Sequence, residues 1–199
     1  MKTFIDAATP PTTVPPGVGG VLGYLGGPKA TRAWTLAEWL RFEHLAQLPA
    51  YVPDLTKDPV AQGEAAVKAA LALGWAPWQK GAGERAIVFD LELGSNPSWW
   101  ALLEATVANM GFVAVCYGSM STVFGNRASF VLGADWDDIP QIPAGQTLVG
   151  CQYEANHPWE GTLIDFSVVD EWLVLRAGTR RQIRQLARSA LLFAARDHT

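Results

Sequence analysis

This chain has few charged residues, few histidines and few cysteines, and it has no long hydrophobic run. Charged residues make up 17% and hydrophobic residues 49% of its 199 residues, a balance that excludes a disordered chain. The three histidines and two cysteines show no metal-ligand spacing, so we expect no metal site. Because no apolar run approaches the roughly 18 residues that cross a bilayer, we expect no membrane span. The length suits one domain with a sizeable core.

Sequence motifs for nucleotide binding and for serine hydrolysis are also missing. Residues 6–11, after the first strand-like run, match neither GxGxxG nor a P-loop. Gly118-Ser119 lacks the GxSxG pattern. We therefore expect no cofactor and no serine nucleophile.

The first residues do not form a signal peptide, because Asp6 interrupts them before an apolar core is built. The localisation stays open at this point. The protein either remains inside the cell or reaches the outside by lysis, on a particle, or through a signal outside this sequence.

The net charge of −4 is unevenly distributed. From Arg176 onward six arginines oppose Asp197 alone, so this end carries +5 and residues 1–175 carry −9. An acidic body argues against nucleic-acid binding. Apolar residues from Ile183 to Ala194 follow helical spacing. We predict a barrel over residues 1–175 and a basic amphipathic helix within 176–199, packed on the barrel, on an assembly partner or on an anionic surface.

Strand-like and helix-like segments alternate along the chain. Thr35 and Glu38 form a capping box, and Asp58-Pro59 and Asn96-Pro97 are typical helix starts. Eight runs read as strands: Thr3–Ala8, Gly20–Leu25, Ala50–Pro53, Ala86–Leu93, Phe112–Tyr117, Ser129–Ala134, Leu148–Tyr153 and Thr162–Ser167. The pattern predicts an α/β fold, a TIM-type barrel of eight parallel strands with fewer than eight helices. A doubly wound sheet is the rival, but it needs more helices late in the chain.

The strand that ends in Asp90-Leu91-Glu92 carries the strongest functional signal. Residues two apart in a strand point to the same face, about 7 Å apart. Two carboxyls this close raise the pKa of at least one, which suits a general acid beside an ionised partner. The structural alternative is that one acid caps the next helix and the other is solvated.

Other polar residues lie where the predicted strands end, and these ends meet at one mouth of a parallel barrel. Acids and aromatic rings together suit a carbohydrate site. If Tyr117 and Gln152 point inward, Cys116 and Cys151 point outward and are buried free thiols. Besides Asp90 and Glu92, the candidates at the mouth are Asp6, Tyr24, Tyr117, Trp136, Gln152 and Asp165.

This ordered set resembles the family 25 glycoside hydrolases, the N-acetylmuramidase lysozymes that cleave peptidoglycan. It resembles still more a related bacterial and phage glycoside-hydrolase-like domain of unknown function. The resemblance covers residues 2–172. The matching segments are Phe4-Ile5-Asp6, Phe89-Asp90-Leu91-Glu92, Val115-Cys116-Tyr117-Gly118-Ser119, Trp136, Cys151-Gln152-Tyr153 and Ile164-Asp165-Phe166-Ser167.

The resemblance implies a role for each acid. Glu92 would be the general acid that protonates the leaving glycosidic oxygen. Asp90 would stabilise developing positive charge or assist through the substrate's acetamido group, and Asp6 and Asp165 would flank the sugar. Tyr24, Tyr117, Trp136 and Gln152 would line the substrate site.

Two functional hypotheses follow. The first is a glycosidase that acts on bacterial cell-wall polysaccharide. The second is a non-catalytic wall-binding or structural module, such as a phage tail or surface component, that keeps the barrel and the acidic pocket. A sugar isomerase or aldolase is disfavoured, because no lysine stands at a strand end.

Overall fold

The chain forms a closed barrel with helices on its outside. The computed structural model describes residues 1–79, 83–91, 94–143 and 148–177. The strands are β1 (Lys2–Asp6), β2 (Gly20–Gly26), β3 (Ala46–Tyr51), β4 (Trp78–Gln79), β5 (Gly83–Asp90), β6 (Phe112–Ser119), β7 (Val131–Ala134), β8 (Leu148–Trp159) and β9 (Thr162–Val169). The helices are α1 (Leu36–Arg41), α2 (Pro59–Ala72), α3 (Pro97–Asn109), α4 (Met120–Gly125) and α5 (Glu171–Arg176).

Eight strands close the barrel in the order β1-β2-β3-β5-β6-β7-β8-β9, with β9 pairing back to β1. The ninth strand, β4, has two residues and pairs with the start of β5. Four of the five helices in the described part of the chain, α1 to α4, lie on connections between parallel strands. The predicted barrel with fewer than eight helices is therefore confirmed in outline.

The prediction that all eight strands run parallel is wrong, because β9 runs antiparallel to both β8 and β1. Glu160 and Gly161 connect β8 to β9, with φ of 47° and 80°. Positive φ at both loop residues is the geometry of a tight hairpin turn. A parallel crossover needs a dozen or more residues, and only eight separate the predicted runs at Tyr153 and Thr162.

The predicted bounds need the largest corrections at two strands. β3 begins at Ala46, four residues earlier than predicted, and all six of its residues are buried. Its polar Gln47 is accommodated because the side-chain amide donates to the carbonyl of Trp39 on α1 at 2.8 Å. β8 continues to Trp159 instead of stopping at Tyr153, and so forms a long hairpin with β9.

The helices begin where their capping residues predict. Thr35 and Glu38 form the reciprocal capping box at the start of α1. Asp58 accepts from the first-turn amides of α2, with Pro59 in the first turn, and Asn96 does the same for α3. These caps set the ends of the helices that cover the barrel.

The buried residues divide into two clusters, one inside the barrel and one between strands and helices. The inner cluster takes apolar side chains from all eight barrel strands, such as Phe4, Val88 and Leu132. The outer cluster joins the opposite faces of the strands to α1, α2 and α3.

Cys116 and Cys151 are buried free thiols, as predicted, and burial raises their pKa to about 12 and about 11. Both are therefore poor nucleophiles.

The lower end of the barrel, away from the carboxyl ends of the parallel strands, is closed by α5. Leu173 of this helix is fully buried in the inner cluster. The buried Arg85 donates to the carbonyl of Ala177, just after α5. The predicted helix of residues 176–199 lies outside the described residues from residue 178 onward.

We expect Leu173→Ala to lower the free energy of unfolding by about 2–5 kcal/mol, because it leaves a cavity under the barrel. Leu175 on the same helix is 54% exposed and provides the control. Leu175→Ala should cost less than about 0.5 kcal/mol. Urea denaturation of the two variants measures the difference, and equal losses would show that α5 does not close the barrel.

Candidate functional site

The upper end of the barrel carries a layer of polar side chains above the apolar interior. Asp90 and Tyr117 are register partners on β5 and β6, and Asp6 and Asp165 are register partners on β1 and β9. We call this set the polar layer; its members are Asp6, Tyr24, Asp90, Tyr117, Gln152 and Asp165.

Asp165 reaches the mouth for a different reason from the one predicted. The mouth lies at the carboxyl ends of the parallel strands, but β9 runs in the opposite direction. Asp165 belongs to the first half of β9, which lies at the mouth for that reason. Its pairing with Asp6 places two carboxyls side by side across adjacent strands.

Gln152 connects three members of the site. Its Oε1 accepts from the Tyr117 hydroxyl at 2.5 Å and from the Trp136 indole N–H at 3.2 Å. Its side chain also hydrogen-bonds to the Asp165 carboxyl. Since the amide oxygen is the acceptor for two donors, the amide NH₂ faces Asp165. Gln152 is 1% exposed, so these contacts fix its orientation.

Trp136 stands at the edge of this network. Its side chain is 62% exposed although its N–H is bound to Gln152. An indole held by one edge and open on its face offers a flat apolar surface to a ligand.

Asp90 is 4% exposed and accepts a hydrogen bond from the Tyr24 hydroxyl at 3.1 Å. Burial is the main cause of the raised pKa of Tyr24, followed by the neighbouring charges of Asp6 and Asp90. Tyr24 is therefore protonated at neutral pH and acts as a donor to Asp90.

Asp6 has a more strongly raised pKa than Asp165. It is 5% exposed, and burial, followed by the charges of Asp165 and Asp90, holds its pKa well above the usual range. Burial also raises the pKa of Asp165, although hydrogen bonds from the Asn156 backbone and the Gln152 side chain oppose the shift. Asp6 and Asp165 therefore favour a state in which one carboxyl holds a proton over one in which both are ionised.

We expect the free energy of unfolding of Asp6→Asn, relative to that of the wild-type protein, to increase as the pH rises from 3 to 7. The raised native pKa means that the folded protein retains a proton that the unfolded chain loses above about pH 3.9. Wild-type stability therefore falls as the pH rises through the native pKa, and the variant lacks this loss. Thermal unfolding across that range measures it, with Asp138→Asn at an exposed position as control. A stability difference that shrinks as the pH rises would contradict the assignment.

A pocket of about 280 Å³ opens above the polar layer. Six of the predicted residues line it, and Asp6 is buried next to Asp165. Sequence reasoning missed Ser119 and Asn156. The Asn156 backbone N–H donates to Asp165 at 2.6 Å, and its φ is 58°. Asparagine tolerates this left-handed geometry, and that preference is the signal that could have identified it.

The candidates thus fall into two groups. The structure brings seven of the eight together: Asp6, Tyr24, Asp90, Tyr117, Trp136, Gln152 and Asp165. Glu92 lies outside the described residues, and its assignment as general acid remains a prediction.

Two other features bear on the function. Within the described ranges, no group of three or more His, Cys, Asp or Glu side chains could hold a metal ion. In the same ranges, no helix is long and apolar enough to cross a membrane.

Comparison with known proteins identifies the fold. No family model and no curated protein matches the chain. Among solved structures, an uncharacterized B. stearothermophilus protein is similar to 89% of this chain and 100% of its own, with 14% identity and a TM-score of 0.69.

Two further similar structures come from enzymes of known class. The bacterial lysozyme from Streptomyces coelicolor matches over 79% of this chain and 84% of its own, with 15% identity and a TM-score of 0.52. The modular autolysin LytC from Streptococcus pneumoniae, solved in complex with a synthetic peptidoglycan ligand, matches over 83% of this chain and 46% of its own, with 14% identity and a TM-score of 0.58. The barrel fold implied by the sequence resemblance is therefore confirmed.

Proposed function

We propose that this chain is a glycoside hydrolase that acts on bacterial cell-wall polysaccharide at the pocket above the polar layer. The observation that carries the proposal is the convergence of Asp90 and Asp165 on one pocket beside an exposed indole. Carboxyls supply the chemistry of glycoside hydrolysis, and flat rings bind sugar faces. The lysozyme and the autolysin share the barrel, which supports this choice of substrate class.

The pocket suits a sugar ring in its shape and its polar groups. Trp136 supplies the stacking face, and Gln152, Asn156 and Asp165 supply polar atoms around it. Since Gln152 is already oriented by Tyr117 and Trp136, little side-chain entropy is lost when a sugar binds.

In the mechanism that we propose, Glu92 protonates the glycosidic oxygen as the bond from that oxygen to the anomeric carbon breaks. The leaving sugar departs as an alcohol, and the anomeric carbon acquires positive charge. Asp90 stabilises that charge, or orients the substrate's acetamido group to do so. Water then adds its hydroxyl to the anomeric carbon, and its proton restores Glu92.

The other members of the polar layer support Asp90. The Tyr24 hydroxyl holds the Asp90 carboxyl in place. Asp6 and Asp165 keep the site acidic, and their raised pKa values limit the repulsion that three neighbouring carboxylates would otherwise cause.

The experiment that tests the function is incubation of the wild-type chain with purified peptidoglycan. New reducing ends and the amount of bound protein are measured in the same tubes. Release of reducing ends supports the glycosidase. Binding without release replaces it with the non-catalytic wall-binding module, and the absence of both contradicts a wall-glycan function.

A further inference from the structure

The cleft continues past Asp90, away from Trp136. Two more cavities, of about 80 Å³ and 350 Å³, have Asp90 in their walls. The smaller one also shares Tyr24 with the pocket above the polar layer. Lys29 lines both additional cavities. A chain of sugars bound across Asp90 therefore has room on both sides of it.

The two ends of this cleft differ in charge. The end at Trp136 and Gln152 contains Asp165, with Asp6 buried beside it. Among the described residues that line the other end, Lys29 and Arg32 are the cations, and the anion Asp54 lines the larger of its two cavities. The second end offers a cation to a negatively charged substituent where the first end offers carboxyls, so such a substituent favours one direction for the glycan.

Of the two cations, Lys29 is the one available to a ligand. Arg32 is engaged by the carboxylate of Glu38 through its Nη2. The Lys29 ammonium has a distant ion pair with Asp54, at 3.9 Å, and its side chain is 62% exposed. Asp54 is independently satisfied, because Thr56 donates to it through its backbone N–H at 2.9 Å and its hydroxyl at 2.7 Å. Lys29 can therefore bind a ligand while the Asp54 carboxylate keeps its hydrogen bonds to Thr56.

We infer that Lys29 binds a free carboxylate on the glycan and so determines both the substrate class and its direction in the cleft. The inference rests on the proposed function. It assigns the preferred substrate as a polysaccharide whose sugars carry unsubstituted carboxylates, as the lactyl groups of peptidoglycan do once the peptides have been removed.

The test compares two ligands that differ in this charge and in one small methyl group on each carboxylate. One is a tetrasaccharide from peptidoglycan strands freed of peptides, and the other is the same tetrasaccharide with its carboxylates methyl-esterified. Dissociation constants are measured by isothermal titration for the wild-type chain, Lys29→Gln and Lys68→Gln, while hydrolysis is followed in the same samples. Lys68 is an exposed lysine on α2, paired with Glu64, and serves as the matched control.

We expect Lys29→Gln to weaken binding of the free-carboxylate tetrasaccharide about three- to fivefold, because an ion pair between the largely exposed Lys29 and the ligand contributes little free energy. Binding of the ester should not change, and Lys68→Gln should affect neither ligand. Asp54→Asn removes the competing anion beside Lys29, and it should tighten binding of the free-carboxylate ligand about twofold.

Equal effects of Lys29→Gln on the two ligands, or no effect on either, would overturn the inference. If the wild-type chain binds or cleaves both ligands equally well, the proposed function stands and the role of Lys29 is wrong. If the wild-type chain neither binds nor cleaves either ligand or intact peptidoglycan, the proposed function fails together with the inference.

Discussion

Glu92→Gln is expected to lower the rate of peptidoglycan hydrolysis by at least about 100-fold, while binding of the same material stays within about twofold of wild type. Glutamine has the shape of glutamic acid but cannot give a proton to the leaving oxygen. The loss should therefore fall on kcat rather than on KM. Reducing-end release and co-sedimentation with peptidoglycan measure the two quantities separately.

The control for this variant is Glu64→Gln, which makes the same chemical change on the surface of α2. It should leave hydrolysis unchanged and the free energy of unfolding within about 0.5 kcal/mol of wild type. Hydrolysis by Glu92→Gln at the wild-type rate, with the fold intact, would remove Glu92 from the mechanism. A matching loss of binding would point to substrate binding rather than acid catalysis.

Gly118→Ala is expected to damage stability and activity together. Gly118 lines the pocket with φ of 153°, and an added Cβ would lie 2.4 Å from the carbonyl oxygen of Leu91. The backbone N–H of Leu91 also donates to the Tyr117 carbonyl at 2.9 Å. The methyl group therefore forces apart the ends of β5 and β6, where Asp90 and Tyr117 lie.

Strain and overpacking at Gly118 should together cost about 2–4 kcal/mol of unfolding free energy. We expect hydrolysis to fall at least about tenfold at temperatures where the variant is folded, since small displacements of catalytic groups are costly. Gly17→Ala is the control, because Gly17 has φ of 87° but no atom within 4 Å of its added Cβ. If Gly118→Ala loses no more stability and no more activity than Gly17→Ala, close packing at the mouth is required for neither.

Much of the barrel could be predicted because local signals and the global fold agree in its first two thirds. The starts of α1, α2 and α3 are marked by Thr35, Asp58 and Asn96, whose side chains accept from the amides of the first turn. The strands between these helices are apolar on both faces, as strands covered inside and outside must be. Parallel pairing follows from the helical crossovers.

The last third of the barrel was harder to predict because its direction depends on one short turn. Glu160-Gly161 lacks the Asn-Gly or Asp-Gly pair that most strongly marks a two-residue hairpin. The polar residues of late β8, such as Glu154 and His157, also resemble a loop. These residues belong to the outer part of the β8–β9 hairpin, which is partly exposed to solvent, and a partly exposed strand can carry polar side chains.

The grouping of the polar residues at one end of the barrel could be predicted, since they interrupt apolar strands there. Asp6, Asp90 and Gln152 are each buried polar residues in runs that are otherwise apolar. Such residues are costly unless they are hydrogen-bonded or functional, and this makes them visible in a sequence. The contribution of Asn156 comes from its backbone N–H, which the sequence does not reveal; only its left-handed φ is signalled by the residue type.

The most direct test of the central claim is a crystal structure of the Glu92→Gln variant with a peptidoglycan tetrasaccharide. The account predicts a sugar ring stacked on Trp136, with polar contacts to Gln152 and Asp165. It also predicts that the Asp90 carboxyl and the side chain at position 92 flank the glycosidic bond, about 5–9.5 Å apart. A tetrasaccharide bound elsewhere on the barrel, or a side chain at position 92 turned away from the bond, would contradict it.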